Sequence, residues 1–424
     1  MNRHTDLPVP FLIATAAFFC GLFAGASAQS VLVVDDTAGS GAPYSTIQSA
    51  VIAAAPGDIV LIKPGTYPPF TIDGKGITVC YDTSAGAASQ MVISGSVPIV
   101  VRNVPSGQTV TFQNITVRHG RGVRCESNQG TLWFDRCDIT ASADYSVPQL
   151  ECVQCADLVI SSSTLNASVK LTNIGTLPAP VLRIVDGSTR VAILGSQVRG
   201  NWFASKYIPG CDAANLICER FFASATTFAG GKGGPNYGIG MPGGDGLVIG
   251  TQNGATLLNC ALFGGQGGGT CIPLADCGIS GSPPLGPTGK ALIVAGGTFT
   301  QLSGPSESVQ MPSPIREAQS VTFSVSCGSG DLAWVLVAAA PAPMLTIPGI
   351  VGPLILDPTS TALLPTALPI GCTGAPVSFS IPAPTLPAPV LGKDLFVQGV
   401  FIDALLSRIR VSTAAALVIL DSAY

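Results

Sequence analysis

The 424-residue chain can form two or three domains, or one long repeat structure with an added domain. Only 10% of its residues are charged, compared with about 25% in ordinary soluble proteins, while 50 glycines and 34 prolines are present. A formal net charge of −4 argues against partners that need a strongly basic surface, so we expect neither nucleic acid nor anionic lipid to bind.

Residues 1–28 have the pattern of an export signal. A weakly positive start at Arg3 precedes an apolar stretch at residues 11–23, and Ala26-Ser27-Ala28 is a small-x-small cleavage site. The apolar stretch is shorter than the ~20 residues needed to cross a bilayer, which favours cleavage over an uncleaved anchor. We therefore expect a mature chain without a membrane span that is secreted or held at the cell surface or envelope.

Short strands are predicted at residues 31–34, 59–62 and 77–79, with a helix between the first two. Ser45-Thr-Ile-Gln48 spells a capping box, in which Ser45 caps the helix and Gln48 reaches back. Pro56-Gly57 ends the helix. The apolar residues of one helical face are Ile47, Ala50, Val51 and Ala54.

An eight-residue pattern returns seven times, and its first, third and eighth positions are apolar. Successive copies start 22, 26, 33, 30, 34 and 37 residues apart, which predicts a stacked solenoid. We expect the apolar positions and the small sixth position to face the interior, and the fourth and seventh positions to face solvent. The copies begin at Val110, Leu132, Leu158, Val191, Phe221, Ala255 and Leu292.

This pattern makes two specific predictions. The third positions should share one interior column: Phe112, Phe134, Ile160, Ile193 and Leu257. The seventh positions should form a polar outer row: Thr116, Asp138, Thr164, Gln197, Thr227, Ala261 and Thr298. Glycine-rich loops between residues 229 and 269 should project from the later coils.

Residues 44–51 and 55–67, which carry Tyr44-Ser-Thr-Ile-Gln and Pro64-Gly-Thr-Tyr67, resemble the start of pectin-lyase-like right-handed β-helices. They are especially similar to pectin methylesterases and to secreted bacterial β-helix proteins. The resemblance implies an all-β fold: a right-handed parallel β-helix over residues 29–302 with an N-terminal capping helix. It is specific for fold alone, because that superfamily holds lyases, hydrolases, esterases and non-catalytic proteins.

After residue 302 the repeat stops. Predicted strands at residues 321–325, 334–337 and 395–402 alternate with proline-rich turns, which indicates a small C-terminal β-sandwich at residues 317–424. Cys327 and Cys372 stand apart from the other cysteines, and we expect them to bridge this domain.

Thirteen cysteines less Cys20 in the export signal leave twelve, an even number that favours disulfides in an oxidising compartment. A zinc or redox site at Cys152-Val-Gln-Cys155 lacks a second CxxC, and His119 is the one histidine outside the export signal. Four cysteine pairs are close in sequence: Cys125 and Cys137, Cys152 and Cys155, Cys211 and Cys218, Cys271 and Cys277.

One charged group could carry chemistry: Arg118, Arg121, Arg124, Asp135, Arg136 and Asp138. Under the family resemblance, a polysaccharide lyase would use carboxylates to hold calcium and an arginine to abstract a proton, whereas an esterase would use two close aspartates. Arg118, Asp135 and Asp138 are the catalytic candidates, and Arg121 and Arg124 are candidates for binding substrate. Ion pairs between neighbouring coils are the alternative explanation.

Three aromatic residues could stack on sugar rings: Trp133, Trp202 and Tyr207. Trp133 occupies the second position of its copy and should face outward. The sequence predicts an exported β-helix protein without a recognisable catalytic motif that binds extracellular polysaccharide or serves at the cell surface. The alternatives are a carbohydrate-active enzyme, either a pectate-type lyase or a pectin esterase, and a structural adhesin of the envelope. No cofactor is expected, and calcium belongs to the lyase alternative alone.

Overall fold

The computed structural model is mostly β and divides into two compact units, one spanning Leu32–Gly304 and one containing Pro305–Tyr424. No helix among the described residues is long and apolar enough to span a membrane. The export signal lies outside the described residues and stays a prediction. The structure describes residues 29–85, 91–118, 121–140, 147–167, 178–185, 189–200, 208–234, 236–237, 240–268, 270–271, 286–304, 307–364, 370–387, 389–403 and 408–424.

In the first unit the chain passes repeatedly through three columns of strands, and the strands from residue 59 onward pair in parallel. Column 1 contains β1 (Val31–Val34), β2 (Ile59–Ile62), β5 (Thr78–Tyr81), β8 (Thr109–Gln113), the second halves of β10 (Val123–Asp135) and β12 (Leu150–Ser161), β15 (Arg190–Leu194), β18 (Arg220–Ser224), β22 (Ala255–Leu258) and β26 (Phe299–Leu302). Column 2 contains β3 (Gly65–Tyr67), β6 (Met91–Ile93), β9 (Thr116–Arg118), β11 (Asp138–Thr140), β13 (Thr164–Asn166), β16 (Gln197–Arg199), β19 (Thr227–Ala229) and β23 (Ala261–Phe263). Column 3 contains β4 (Thr71–Asp73), β7 (Ile99–Arg102), the first halves of β10 and β12, β14 (Leu182–Ile184), β17 (Ala214–Cys218), β21 (Leu247–Thr251) and β25 (Leu292–Gly296). This is a parallel β-helix.

The predicted interior column is confirmed. Backbone pairing aligns one buried residue from each of six successive coils of column 1, so each coil covers apolar surface that its neighbour would expose. These residues are Phe112, Phe134, Ile160, Ile193, Ala223 and Leu257.

The fifth position of the repeat forms the bend from column 1 to column 2. Its backbone φ is positive in six coils, at values between 48° and 56°. Glycine and asparagine adopt this left-handed conformation most readily, but arginine, serine and alanine also occupy it here. The six residues are Asn114, Arg136, Ser162, Gly195, Ala225 and Asn259.

The small sixth position satisfies the backbone just after this bend. The amide of Cys137 donates to Ser163 Oγ at 2.9 Å, and the amide of Ser163 donates to Ser196 Oγ at 3.1 Å. The amide of Ser196 in turn faces Thr226 Oγ1 at 3.4 Å. Stacked hydroxyls thus provide hydrogen-bond partners inside the solenoid, where unpaired amides would be costly.

The prediction for the last copy of the repeat was wrong. The copy that begins at Leu292 lies in column 3, where Leu292 pairs with Leu247, and Phe299 instead continues column 1 beside Ala255. Thr298 therefore precedes a column 1 strand and is not part of the polar row. The alternation of apolar residues is common to both columns, so it could not separate them.

The fourth positions are also buried rather than solvent-facing, as Gln113, Asp135 and Ser161 show. Outward-facing residues of column 1 are thus buried like the inward ones, which explains why these strands are apolar almost throughout. The outward row at the second position is buried as well: Thr111, Trp133, Val159, Ala192 and Phe222.

The helix α1 (Ile47–Ala53) contributes Ile47, Ala50 and Val51 to the apolar interior. Its cap is Thr46, whose Oγ1 accepts the amide of Ser49 at 3.2 Å, one residue later than predicted. Gln48 does not reach back: its side chain accepts the amide of Thr71 in β4 at 2.8 Å. Gln48 therefore connects the helix to the first strand of column 3. A 3₁₀ turn follows at Thr83–Ala85.

The glycine-rich segments pack against one another instead of projecting as loops. A chain of backbone hydrogen bonds connects Gly231 to Gly244, Gly244 to Gly265 and Gly265 to Gly289 at 2.8–2.9 Å. Most of these glycines are buried, and a Cβ built on Gly265 would lie 1.8 Å from the Gly231 carbonyl oxygen. Close backbone approach therefore requires glycine here. The short parallel strands β20 (Asn236–Tyr237) and β24 (Thr270–Cys271) pair in the same region of the sequence.

The second unit contains antiparallel and mixed sheets whose buried side chains form one hydrophobic core. A three-stranded sheet contains β27 (Ser308–Gln310), β29 (Ser320–Ser326) and β36 (Val377–Pro382). A seven-stranded sheet contains β28 (Ile315–Arg316), β30 (Leu332–Ala338), β32 (Ile350–Val351), β34 (Thr361–Leu363), β35 (Ile370–Gly371), β37 (Gly392–Asp403) and β38 (Arg408–Leu420). A separate two-stranded sheet is formed by β31 (Pro341–Leu345) and β33 (Leu354–Leu356). The three strands predicted from sequence fall within β29, β30 and β37.

A disulfide joins Cys327 and Cys372, whose Cα atoms are 5.7 Å apart. The structure does not pair the neighbouring cysteines of the β-helix. Cys125 lies in column 3 and Cys137 follows the bend out of column 1, so they occupy different sides of the coil. Cys277 is outside the described residues. Among the described residues, the cysteines outside the disulfide are Cys80, Cys125, Cys137, Cys152, Cys155, Cys211, Cys218 and Cys260.

Candidate functional site

The predicted charged group does not converge, because its members lie on different columns. Arg118 and Asp138 are on neighbouring strands of column 2, where the guanidinium donates to both carboxylate oxygens at 3.1 and 2.5 Å. Both side chains are 37% exposed, and Thr140 also donates to Asp138 at 2.9 Å. This is a bidentate surface ion pair between coils.

Asp135 lies on the outer side of column 1 and is fully buried. Its carboxylate accepts hydrogen bonds from Arg136 at 2.6 and 2.9 Å and from Ser161 Oγ at 2.8 Å. Gln113 approaches it at 3.5 Å, and Trp133 Nε1 donates to Ser161 Oγ at 3.2 Å. The positive-φ bend at Arg136 separates this network from Asp138, so the two aspartates cannot act as a pair.

The remaining arginines face a third direction. Arg124, in column 3, forms ion pairs with Glu126 at 3.2 Å and, more loosely, with Glu151 at 3.9 Å. Glu151 is also paired with Arg183 of the next coil at 3.2 Å. Arg121 is exposed just before β10. Opposite charges on successive coils of column 3 thus neutralise one another.

Calcium does not fit these carboxylates. The oxygens of Asp135 and Asp138 already accept hydrogen bonds from arginine and hydroxyl donors on their own sides of the coil. No group of three or more metal-ligating side chains is found among the described residues. A calcium ion needs six to eight oxygen ligands, which these two carboxylates do not offer.

The predicted aromatic set is not assembled either. Trp133 does lie on the outward side of column 1, but it is fully buried and offers no surface to a sugar ring. Trp202 and Tyr207, like His119, fall outside the described residues. An aromatic residue outside the predicted set, Phe263 at the end of β23, is 56% exposed; it lies one residue beyond the octet that begins at Ala255.

The outer side of column 2 presents a regular polar surface, which we call the polar face. Each of the six column 2 strands from β9 to β23 places two side chains on it, at the seventh position of the repeat and two residues later. The first row contains Thr116, Asp138, Thr164, Gln197, Thr227 and Ala261, and the second contains Arg118, Thr140, Asn166, Arg199, Ala229 and Phe263. All twelve are at least partly exposed.

The spacing of this surface follows from sheet geometry. Neighbouring coils are about 4.8 Å apart, and alternate residues along a strand are about 6.6 Å apart, so six coils cover about 24 Å. The second row could have been found by continuing the apolar–polar alternation two residues beyond each octet.

Six side chains on the polar face have uncommitted hydrogen-bonding groups. Within the described part of the chain, none of them makes a side-chain hydrogen bond or an ion pair. They offer hydroxyl, amide and guanidinium groups in one plane, unlike Arg118 and Asp138, which bind each other. The six are Thr116, Thr164, Asn166, Gln197, Arg199 and Thr227.

No protein-family profile matches the chain, and no curated protein is similar to it in sequence. Among solved structures, the chain is similar to the crystal structure of pectate lyase Pel9A. The sequence identity is 17%, the match covers 61% of this chain and 81% of that chain, and the TM-score is 0.27. The stacked parallel columns form a β-helix, which is the fold that the resemblance of the N-terminal segment implies.

Proposed function

We propose that this protein is exported and binds an extended extracellular polysaccharide along the polar face, without catalysing a reaction on it. The observation that carries the proposal is the set of six polar side chains on register-aligned coils that have no partner among the described residues. A regular row of polar groups suits a polymer whose own hydroxyls recur along a straight chain.

The chemistry of the face favours a neutral or weakly acidic polymer. Arg118 is neutralised by Asp138, so Arg199 is the one cation on the face without an acidic partner among the described residues. Its guanidinium can donate to sugar hydroxyls or to a carboxylate, and a hydrogen bond to a charged group contributes about 1.5–3 kcal/mol. The amides of Asn166 and Gln197 can both donate and accept.

Phe263 supplies an apolar platform at one end of the second row. Its ring lies in register with Ala229, whose small side chain is its neighbour on the preceding coil. An exposed aromatic ring beside polar groups is suited to stacking on the apolar face of a sugar. We therefore place one end of the binding surface at Phe263.

The test begins with the mature chain on an array of neutral and acidic plant and microbial polysaccharides, followed by calorimetric titration of any ligand found. Asn166→Ala combined with Arg199→Ala should weaken binding at least tenfold, which corresponds to about 1.4 kcal/mol. The matched control is Arg183→Ala, which removes a half-exposed arginine from column 3.

The control should leave affinity unchanged, because Arg183 faces away from column 2 and is already paired with Glu151. The proposal fails if the array yields no ligand, or if Arg183→Ala weakens binding as much as the double variant does. Release of unsaturated or de-esterified products from a bound polymer would instead support the enzymatic alternative.

A further inference from the structure

Three buried thiols meet inside the β-helix where column 3 turns into column 1. Cys125 of β10 and Cys152 of β12 are direct partners in the parallel pairing of these strands. Cys155 lies three residues beyond Cys152, after the positive-φ residue Gln154. All three side chains belong to the apolar interior and are at most 1% exposed.

Cys125 and Cys152 are close enough to shift each other's pKa, and so are Cys152 and Cys155. Asn128 Nδ2 also lies 3.5 Å from Cys155 Sγ, and the same amide donates to the Val101 carbonyl at 3.0 Å. Cys155 therefore has a polar partner of its own, whereas Cys125 has Cys152 as its direct partner on the neighbouring strand.

The backbone geometry suits a bond between coils. Partners on adjacent strands are about 4.8 Å apart, within the 4.4–6.8 Å range of Cα separations found in disulfides. We propose that Cys125 and Cys152 form a disulfide between successive coils when the chain folds in the presence of a disulfide donor, so that the thiol pair shown by the structure is the reduced state. This disulfide is independent of carbohydrate binding. It requires only that the chain is exported to an oxidising compartment.

The reaction is thiol–disulfide exchange with a small or protein disulfide as oxidant. The Cys152 thiolate attacks one sulfur of the donor, forms a mixed disulfide and releases the first donor thiol. The Cys125 thiolate then attacks the Cys152 sulfur, forms the bond between the coils and releases the second. Two electrons and two protons pass from the cysteines to the donor.

Exchange must take place before these coils close. The pKa of Cys152 is raised above its ordinary value by the Cys125 contact and by burial, and the pKa of Cys155 is raised by the Cys152 contact and by burial. Both thiols are therefore protonated and shielded in the folded chain, and a protonated thiol is a poor nucleophile.

The experiment refolds the reduced mature chain with oxidised glutathione, alkylates the remaining thiols in denaturant and maps the peptides. Trypsin releases residues 125–136, which contain Cys125 as their one cysteine, and residues 137–170, which contain Cys137, Cys152 and Cys155. Cleavage after Glu151 then separates Cys137 from the other two. We expect Cys125 to be recovered in a peptide linked to Cys152.

Two variants assign the bond. Cys155→Ser should keep the linked peptide, whereas Cys152→Ser should lose it and leave Cys125 alkylated. Recovery of Cys125 as an alkylated thiol in the refolded wild-type chain, or linked to Cys137 or Cys155, would overturn the proposal. Because the readout is a peptide mass, it does not depend on whether the polar face binds a polysaccharide.

Discussion

Phe112 and Phe134 occupy the same position in successive coils, with their rings stacked 5.0 Å apart and inclined by 12°. Both are buried, and their backbones pair directly between β8 and β10. This ring contact follows from the stacking of the coils, because each residue lies against the equivalent residue of the neighbouring coil. The stability of the solenoid should therefore depend on each member of this column.

Phe134→Ala should lower the free energy of unfolding by about 3–5 kcal/mol, the usual cost of removing a buried aromatic side chain. The lost ring leaves a cavity between Phe112 and Ile160, which the adjoining coils hold open. Thermal or urea unfolding of the mature chain measures the effect. Phe263→Ala is the control, since its exposed ring should contribute little to stability; equal losses in the two variants would contradict the shared interior column.

The glycine-rich segments make a second prediction. Gly265→Ala should destabilise the β-helix by several kcal/mol, because the new methyl group would overlap the Gly231 carbonyl and break the backbone hydrogen bonds around it. Gly250→Ala is the matched control, since a Cβ there meets nothing closer than Ala295 at 3.8 Å. If unfolding experiments show the same small change for both variants, the close packing of these segments is wrong.

The repeat pattern predicted the solenoid well because apolar alternation directly encodes which side chains face the interior. It failed at Leu292, since column 3 strands have the same alternation as column 1 strands. It also could not show that Trp133 and Asp135 are buried, because the covering of an outer face depends on chain segments distant in sequence. The sequence could not single out Arg199 either, because only the three-dimensional arrangement shows that it lacks an acidic partner among the described residues.

The second unit should lose stability as the pH rises. Burial raises the pKa of Glu307 to about 7, with Arg410 opposing the increase and Asp331 and Asp403 adding to it. The folded state therefore holds this proton more tightly than the unfolded state, whose glutamate has its ordinary pKa of 4.5. The resulting stabilisation is complete below pH 4.5 and is lost as the pH rises through 7, with a total of about 3 kcal/mol.

Glu307→Gln should remove this dependence, because glutamine keeps the shape of the side chain without a titrating proton. Calorimetric melting of the wild-type chain and this variant between pH 5 and pH 8 provides the comparison, and parallel profiles would contradict the assignment.

Asp82, in the β-helix, changes the stability in the opposite direction and at lower pH. Burial would raise the pKa of Asp82, but hydrogen bonds from Lys63 and Ser84 outweigh it, so its stabilisation is lost as the pH falls below 4.

Asp135 and Asp138 provide the last test, because a shared catalytic role and separate structural roles predict different outcomes. Asp135→Ala should cost about 3–5 kcal/mol of stability, since Arg136 would lose its carboxylate partner beside a buried network. Asp138→Ala should cost less than about 1 kcal/mol, because its ion pair with Arg118 is solvent-exposed. The two losses should add in the double variant, as expected for groups on different columns, and urea unfolding of all three variants measures this. Strong non-additivity would show that the two carboxylates act together and would reopen the case for a joint site.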